Sequence, residues 1–160
     1  MTTRKSNIFD KIGSLIPGYK GYAVRDELRN TDKKLREHLA KIIQEVESLI
    51  VLHQKTLIDA NEMQSCKEWE ISRKSLNTLF SKIKNCTYGE SSFFSENQLK
   101  EEELEKIYDF DLEISERVSL ISKTAQEEIN QPLSSGFILQ QIREIESIFI
   151  KRLDFINQHK

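Results

Sequence analysis

Glycine and proline are scarce in this chain, which has five glycines and two prolines among its 160 residues. They occupy only positions 13, 17, 18, 21, 89, 132 and 136. Because both residue types interrupt helices, the long stretches without them favour long helices over a turn-rich fold. No segment alternates convincingly between apolar and polar residues with a period of two, so we expect no β-sheet.

Cysteine and histidine are equally rare, and their spacing excludes the common metal and redox motifs. The chain has two cysteines, Cys66 and Cys86, and three histidines. No histidine follows a glutamate by three residues, so the Glu-x-x-His ligand pairs of di-iron bundles are absent. No Cys-x-x-Cys pair, glycine-rich phosphate loop or Gly-x-Ser-x-Gly motif occurs either. We therefore predict no metal, no cofactor and no catalytic residue.

Long apolar runs and an excess of one charge are also lacking. The run from Leu49 to Leu52 is typical of the longest, whereas a membrane-spanning helix needs about 20 apolar residues. The N-terminus has neither the continuous apolar stretch nor the cleavage site of a signal peptide. The net charge of -2 lacks the basic excess of nucleic-acid-binding proteins. These features predict a cytoplasmic protein that does not bind nucleic acid.

Helical periodicity is what the chain has in abundance. Apolar residues recur every three or four positions in four segments, which predicts an all-α, antiparallel up-down four-helix bundle over residues 22–160. The first stretch without glycine or proline, residues 22–88, is too long for one helix of a compact domain. It should fold back near Asp59 and Glu62, which have capping-box spacing. Residues 1–21 precede the bundle as an amphipathic segment with a short helix.

Two charged residues occupy positions where the helical stripes should be apolar. Arg73 interrupts the second stripe and Asp111 interrupts the third. If the connecting loop is centred near residue 92, both residues lie equally far from it and should meet across a helical hairpin. Since a lone buried charge is costly, we predict a buried Arg73–Asp111 ion pair, with Tyr108 one turn away as a third member. A structural salt bridge is the favoured interpretation, and a polar pocket for a small ligand is the alternative.

A second group of charges lies near the start of the first long helix. Spacings of three and four residues place oppositely charged side chains on one helix face. The favoured interpretation is a face that is solvated or paired within the chain. The group comprises Arg25, Asp26, Arg29, Asp32 and Arg36.

Three stretches of the sequence together resemble a family of bacterial all-helical proteins. The stretches are Phe9–Lys11 with Ile16–Tyr22, Tyr88–Phe94, and Glu103–Asp111. The family carries a Pro-Gly-Tyr-x-Gly-Tyr start and a later Tyr-x-Phe-Asp on a helix. It has no assigned activity, so the resemblance implies no catalytic residues. It does imply a shared pattern made of Gly18, Tyr19, Gly21, Tyr22, Tyr108 and Asp111. As candidate interaction or motif residues we take Tyr19, Tyr22, Arg25, Arg29 and Asp32.

A regular apolar core without site chemistry predicts a non-enzymatic bacterial interaction or scaffold protein, which binds a protein partner or a second copy of itself. The first alternative is a peripheral membrane protein, because residues 8–16 place apolar side chains on one side of a short helix near basic residues. That apolar face is narrow, so we expect it to pack on the bundle. The second alternative is a small-ligand-binding or enzymatic bundle that uses Arg73, Tyr108 and Asp111.

Overall fold

A computed structural model describes residues 2–22, 28–86 and 99–158, with side chains from residue 7 onwards. All regular elements within these residues are helices, which confirms the all-α bundle. None of these helices combines the length and the apolar character that crossing a membrane requires. We call residues 2–22 the arm. The helices are α1 (Thr2–Leu15), α2 (Leu28–Asp59), α3 (Met63–Lys84), α4 (Glu101–Glu127) and α5 (Ser134–Gln158).

The order of the helices around the bundle differs from the order along the chain. Helix α3 packs against α2 and α5, whereas α4 packs against α2, α5 and α1. Consecutive helices α3 and α4 therefore lie at opposite corners. The antiparallel up-down alternation is confirmed, but the predicted side-by-side packing of α3 and α4 is wrong.

The two ends of the bundle carry different features. At one end, the beginnings of α2 and α4 meet the end of α5, because Arg152 contacts both Asp32 and Asp111. The end of α3 lies there too, since Arg36 donates to the Ile83 carbonyl. We call this the arm end. The opposite end carries the α2–α3 and α4–α5 connections, and we call it the loop end.

The α2–α3 connection is a tight turn at the predicted position. Helix α2 ends at Asp59, and Asn61 takes a left-handed backbone conformation with φ of 60°. Asparagine tolerates that conformation better than most residues. Glu62 precedes α3 but makes no capping bond through its side chain. The predicted reversal is confirmed, and the predicted capping box is wrong because the turn takes the place of the cap.

The apolar face of α1 packs on the bundle. Ile12 and Ile16 are fully buried, and α1 lies against α4. Burial of a side chain of this size stabilises a fold by about 1.5–3 kcal/mol. The expected packing of residues 8–16 on the bundle is therefore confirmed. Three further apolar residues of this face are partly buried against the core: Ile8, Phe9 and Leu15.

Candidate functional site

An arginine at the arm end bridges two buried carboxylates. Arg152 of α5 is 0% exposed; its Nε donates to Asp111 Oδ1 at 2.7 Å, and its Nη2 donates to Asp32 Oδ1 at 2.8 Å. Asp111 is also 0% exposed. Charge-assisted bonds of this length are among the strongest hydrogen bonds in proteins. One guanidinium therefore connects α5, α4 and α2.

A second arginine balances the charge of this group. Arg36 lies one turn after Asp32 on α2, and its Nε donates to Asp32 Oδ2 at 2.9 Å. Two cations and two carboxylates make the group formally neutral, which offsets part of the cost of burying it. The predicted internal pairing of this helix face is confirmed for Asp32 and Arg36.

Two tyrosines of the arm complete the shell of Asp111. The Tyr19 and Tyr22 hydroxyls donate to Asp111 Oδ2 at 2.8 and 2.7 Å. The Tyr22 hydroxyl also accepts a bond from Arg152 Nη2 at 3.0 Å. Asp111 thus accepts three hydrogen bonds from two different parts of the chain. We call Tyr19, Tyr22, Asp32, Arg36, Tyr108, Asp111 and Arg152 the arm-end cluster.

The backbone of the arm is bonded to the bundle at the same place. The Tyr22 N–H donates to the Tyr108 hydroxyl at 2.8 Å, and Thr31 Oγ1 donates to the Gly21 carbonyl at 2.8 Å. Gly21 has φ of +79°, and a Cβ at this position would lie 2.5 Å from the Tyr108 hydroxyl. Glycine is needed there for both the backbone conformation and the close approach.

Burial decides the protonation of the cluster. Burial raises the pKa of Asp111, while Arg152 and the tyrosine hydroxyls act in the opposite direction. Burial, followed by the negative charge of Asp111, raises the pKa of both Tyr19 and Tyr22 well above the usual 10. The two hydroxyls therefore remain protonated donors at neutral pH.

These raised pKa values predict a loss of stability at alkaline pH. Above pH 10 the unfolded chain releases the protons of Tyr19 and Tyr22, whereas the folded chain keeps them. The free energy of unfolding should then fall by about 1.4 kcal/mol per pH unit for each tyrosine. Urea unfolding as a function of pH measures this slope. The control is the double variant Tyr19→Phe/Tyr22→Phe, and an equally steep slope in that variant would contradict the prediction.

The structure brings most of the predicted site residues together but not Arg73. Arg73 is 26% exposed and donates to Glu70 and Glu47 instead of Asp111. Its hydrogen bonds lower the pKa of Glu70 to about 2. The predicted Arg73–Asp111 pair is wrong, because α3 and α4 occupy opposite corners of the bundle and Arg73 faces α2.

The remaining predicted residues divide between the cluster and the surface. Tyr19, Tyr22 and Asp32 belong to the arm-end cluster, whereas Arg29 is exposed. Arg25 lies outside the described residues. A role of the two arginines in an interaction therefore stays a prediction.

Sequence reasoning missed Arg152, although the sequence contained a signal for it. The apolar residues of α5, taken alone, predict a stripe that continues from Phe149 to Leu153, but Leu153 is only partly buried. A strictly alternating spacing of four and three residues leads from Ile145 and Phe149 to Arg152 and then to Ile156. All four of these residues are buried. Because leucine is more usual than arginine at a core position, the pattern favoured Leu153, and the cation that pairs with Asp111 was not predicted.

The cluster is satisfied from within the chain. In the described part of the chain, every side-chain nitrogen and oxygen that is inaccessible to solvent has a hydrogen-bond partner. The described residues also contain no group of three or more histidine, cysteine or acidic side chains arranged to hold a metal ion. The paired charges join α2, α4 and α5, and hydrogen bonds from the two tyrosine hydroxyls to Asp111 hold the arm on these helices.

The positions of the resemblance meet in this cluster. Tyr19, Tyr22, Tyr108 and Asp111 are in direct contact, and Gly21 gives them room. The stretch Tyr88–Phe94 lies outside the described residues. Membership of the bacterial family stays a prediction. Comparisons of the chain with protein-family models, with curated proteins and with solved structures find no match.

Proposed function

We propose that this chain is a non-enzymatic interaction or scaffold protein of the bacterial cytoplasm, which binds a protein partner or a second copy of itself. The observation that carries the proposal is the internal pairing of the buried charges: Asp32 and Asp111 accept from Arg36 and Arg152. Such a cluster fixes the arm, and binding is left to the surface. The bacterial origin rests on the resemblance, and two cysteines that form no disulfide suit a reducing compartment.

The substitution Tyr19→Phe tests this proposal against a functional pocket. It removes one hydroxyl from Asp111 and keeps the aromatic ring, so a structural cluster should lose about 1.5–3 kcal/mol of stability. Affinity capture of the tagged full chain from its native host should retain a specific protein, or a second copy of the chain, in near-equal amounts. We expect the same ratio for the folded Tyr19→Phe variant.

Two results would count against the proposal. Absence of any specifically retained protein, together with a monomeric chain in solution, removes the interaction role. Loss of retention by a Tyr19→Phe variant that is still folded assigns the cluster to binding, which favours the ligand-pocket alternative. Arg73→Met serves as the control, since it changes a partly exposed ion pair far from the cluster.

The membrane alternative has less support because α4 covers the apolar face of α1. Ile12 and Ile16, which a bilayer would have to take up, are fully buried against the bundle. A single narrow face without a second anchoring signal binds membranes weakly. In a flotation assay we expect the full chain to stay in solution both with anionic liposomes and with neutral ones. Robust flotation with anionic liposomes alone would favour the membrane alternative.

A further inference from the structure

A cleft of about 490 Å³ lies at the loop end, between the α2–α3 turn and the α4–α5 connection. Trp69 of α3, the one tryptophan of the chain, lines it and is 4% exposed. His53 of α2 lies edge-on to Trp69, with ring centroids 5.5 Å apart and an interplanar angle of 84°. The cleft therefore has an aromatic wall formed by two helices.

The indole N–H of Trp69 is the polar group of this aromatic wall. It donates to no side chain or carbonyl of the described residues, although nearly all of the side chain is buried. Every solvent-inaccessible side-chain nitrogen and oxygen in the same residues has a hydrogen-bond partner. Since this N–H has none, it is accessible to solvent. Trp69 lines the cleft, so the cleft is the side from which an acceptor can approach this N–H. A donor that has no protein partner and belongs to a largely buried side chain is a position where an acceptor from another molecule binds favourably.

The charge of the cleft lining is negative. Glu62 and Glu68 line the cleft, and the lining contains no lysine or arginine. Neither glutamate forms an ion pair within the described residues. Burial lowers the pKa of His53 below its usual value, while Glu62 acts in the opposite direction, so the ring is neutral at pH 7. A ligand of complementary charge is a cation.

Two exposed apolar residues are chain neighbours of residues that line the cleft. Met63 directly follows Glu62 and is 50% exposed; Leu133 directly follows Pro132 and is 83% exposed. A small amine bound in the cleft would leave these two apolar side chains exposed. A protein segment would cover them with the residues on either side of its cationic residue. Interfaces combine a specific anchor with surrounding apolar contacts in this way.

We propose that the cleft binds a lysine or arginine side chain of a partner protein segment, with the cation between Glu62 and Glu68 and beside the ring of Trp69. Cations bind favourably near tryptophan, and a backbone carbonyl of the segment accepts from the indole N–H. Apolar residues on either side of the cation cover Met63 and Leu133. This inference rests on the proposed interaction function and specifies the surface and the partner chemistry.

Trp69 reports on the binding by its own fluorescence in the purified full chain. The probe is an acetylated and amidated peptide Gly-Ser-Leu-Lys-Leu-Ser-Gly. A matched peptide has norleucine in place of lysine, and n-butylammonium supplies the bare cation. We expect a saturable change of Trp69 emission with the lysine peptide, at lower concentration than with either control, and weaker binding as salt increases.

The double variant Glu62→Gln/Glu68→Gln tests the charge recognition. We expect about tenfold weaker binding of the lysine peptide, because two partly solvated ion pairs are lost. Glu62 makes no capping bond, so its substitution leaves the start of α3 intact. Glu116→Gln, at an exposed position of α4, is the control and should bind like the wild type.

Each other result overturns the inference. Equal binding of the norleucine peptide shows that charge is not recognised, and equal binding of n-butylammonium assigns the cleft to a small amine. Absence of any saturable change, checked by calorimetry, removes the site. If the host protein is still captured by Glu62→Gln/Glu68→Gln at the wild-type ratio, the inference fails while the interaction function stands.

Discussion

Replacing Arg152 with methionine should lower the free energy of unfolding by about 3–5 kcal/mol, the loss typical when one partner of a buried ion pair is removed. Asp32 would keep its bond from Arg36, but Asp111 would lose the cation that it pairs with among the described residues and stay buried with two tyrosine hydroxyls. Methionine fills much of the volume of arginine, so the loss reports charge rather than packing. Urea unfolding at neutral pH measures it.

The matched control is Arg73→Met, which removes the arginine that the sequence first suggested. Its partners Glu47 and Glu70 are partly exposed, and ion pairs of that kind contribute about 0.2–1 kcal/mol. We therefore expect a loss at least three times smaller than that of Arg152→Met. Similar losses for the two variants would contradict the assignment of Arg152 as the buried cation.

The double variant Arg152→Met/Asp111→Leu should recover only part of the loss. It removes both charges of the central pair, which is often close to neutral when the replacements pack well. The Tyr19 and Tyr22 hydroxyls would lose their acceptor, however, and buried hydroxyls without partners are unfavourable. Full recovery would show that the tyrosine bonds to Asp111 contribute little.

The number and location of the helices followed from the sequence because burial imposes a period on each helix. The exact face of a helix is harder to predict, as α3 shows. The predicted stripe ran through Trp69, Arg73 and Leu76, whereas the buried stripe runs through Trp69, Ser72 and Leu76. Ser72 was overlooked because serine is polar, yet it is small and donates to the Ser135 carbonyl at 3.1 Å. A shift of one position turns the expected core residue Arg73 toward α2.

Helix order around the bundle could not be derived from periodicity at all. Periodicity defines a buried face for each helix but does not say which helix covers it. The hairpin assumption paired Arg73 with Asp111, because it made consecutive helices neighbours. The diagonal position of α3 and α4 instead brings Asp111 to Arg152, which lies 41 residues away in the chain. The need for a buried cation was predictable, but its identity depended on this order.

The glycines of the Pro-Gly-Tyr-x-Gly-Tyr sequence are positions where the local sequence did predict the structure, and Gly21 also makes a close contact. Gly21→Ala should lower the free energy of unfolding by about 2–5 kcal/mol. About 1–2 kcal/mol arises from forcing alanine into a left-handed conformation. The remainder arises because the new Cβ meets Tyr108 and Phe9, at 2.5 and 2.7 Å, and displaces the hydroxyl that accepts from Tyr22.

Two other glycines separate these contributions. Gly18 has φ of +78°, but a Cβ there meets only the flexible end of Lys34, so Gly18→Ala should lose about 1–2 kcal/mol from conformation alone. Gly136 lies inside α5 with nothing within 4 Å, so Gly136→Ala should gain up to about 1 kcal/mol. Thermal and urea unfolding give the ranking. If Gly21→Ala lost no more than Gly18→Ala, the close approach of the arm to Tyr108 would contribute nothing, and the Pro-Gly-Tyr-x-Gly-Tyr sequence would need an explanation other than docking the arm.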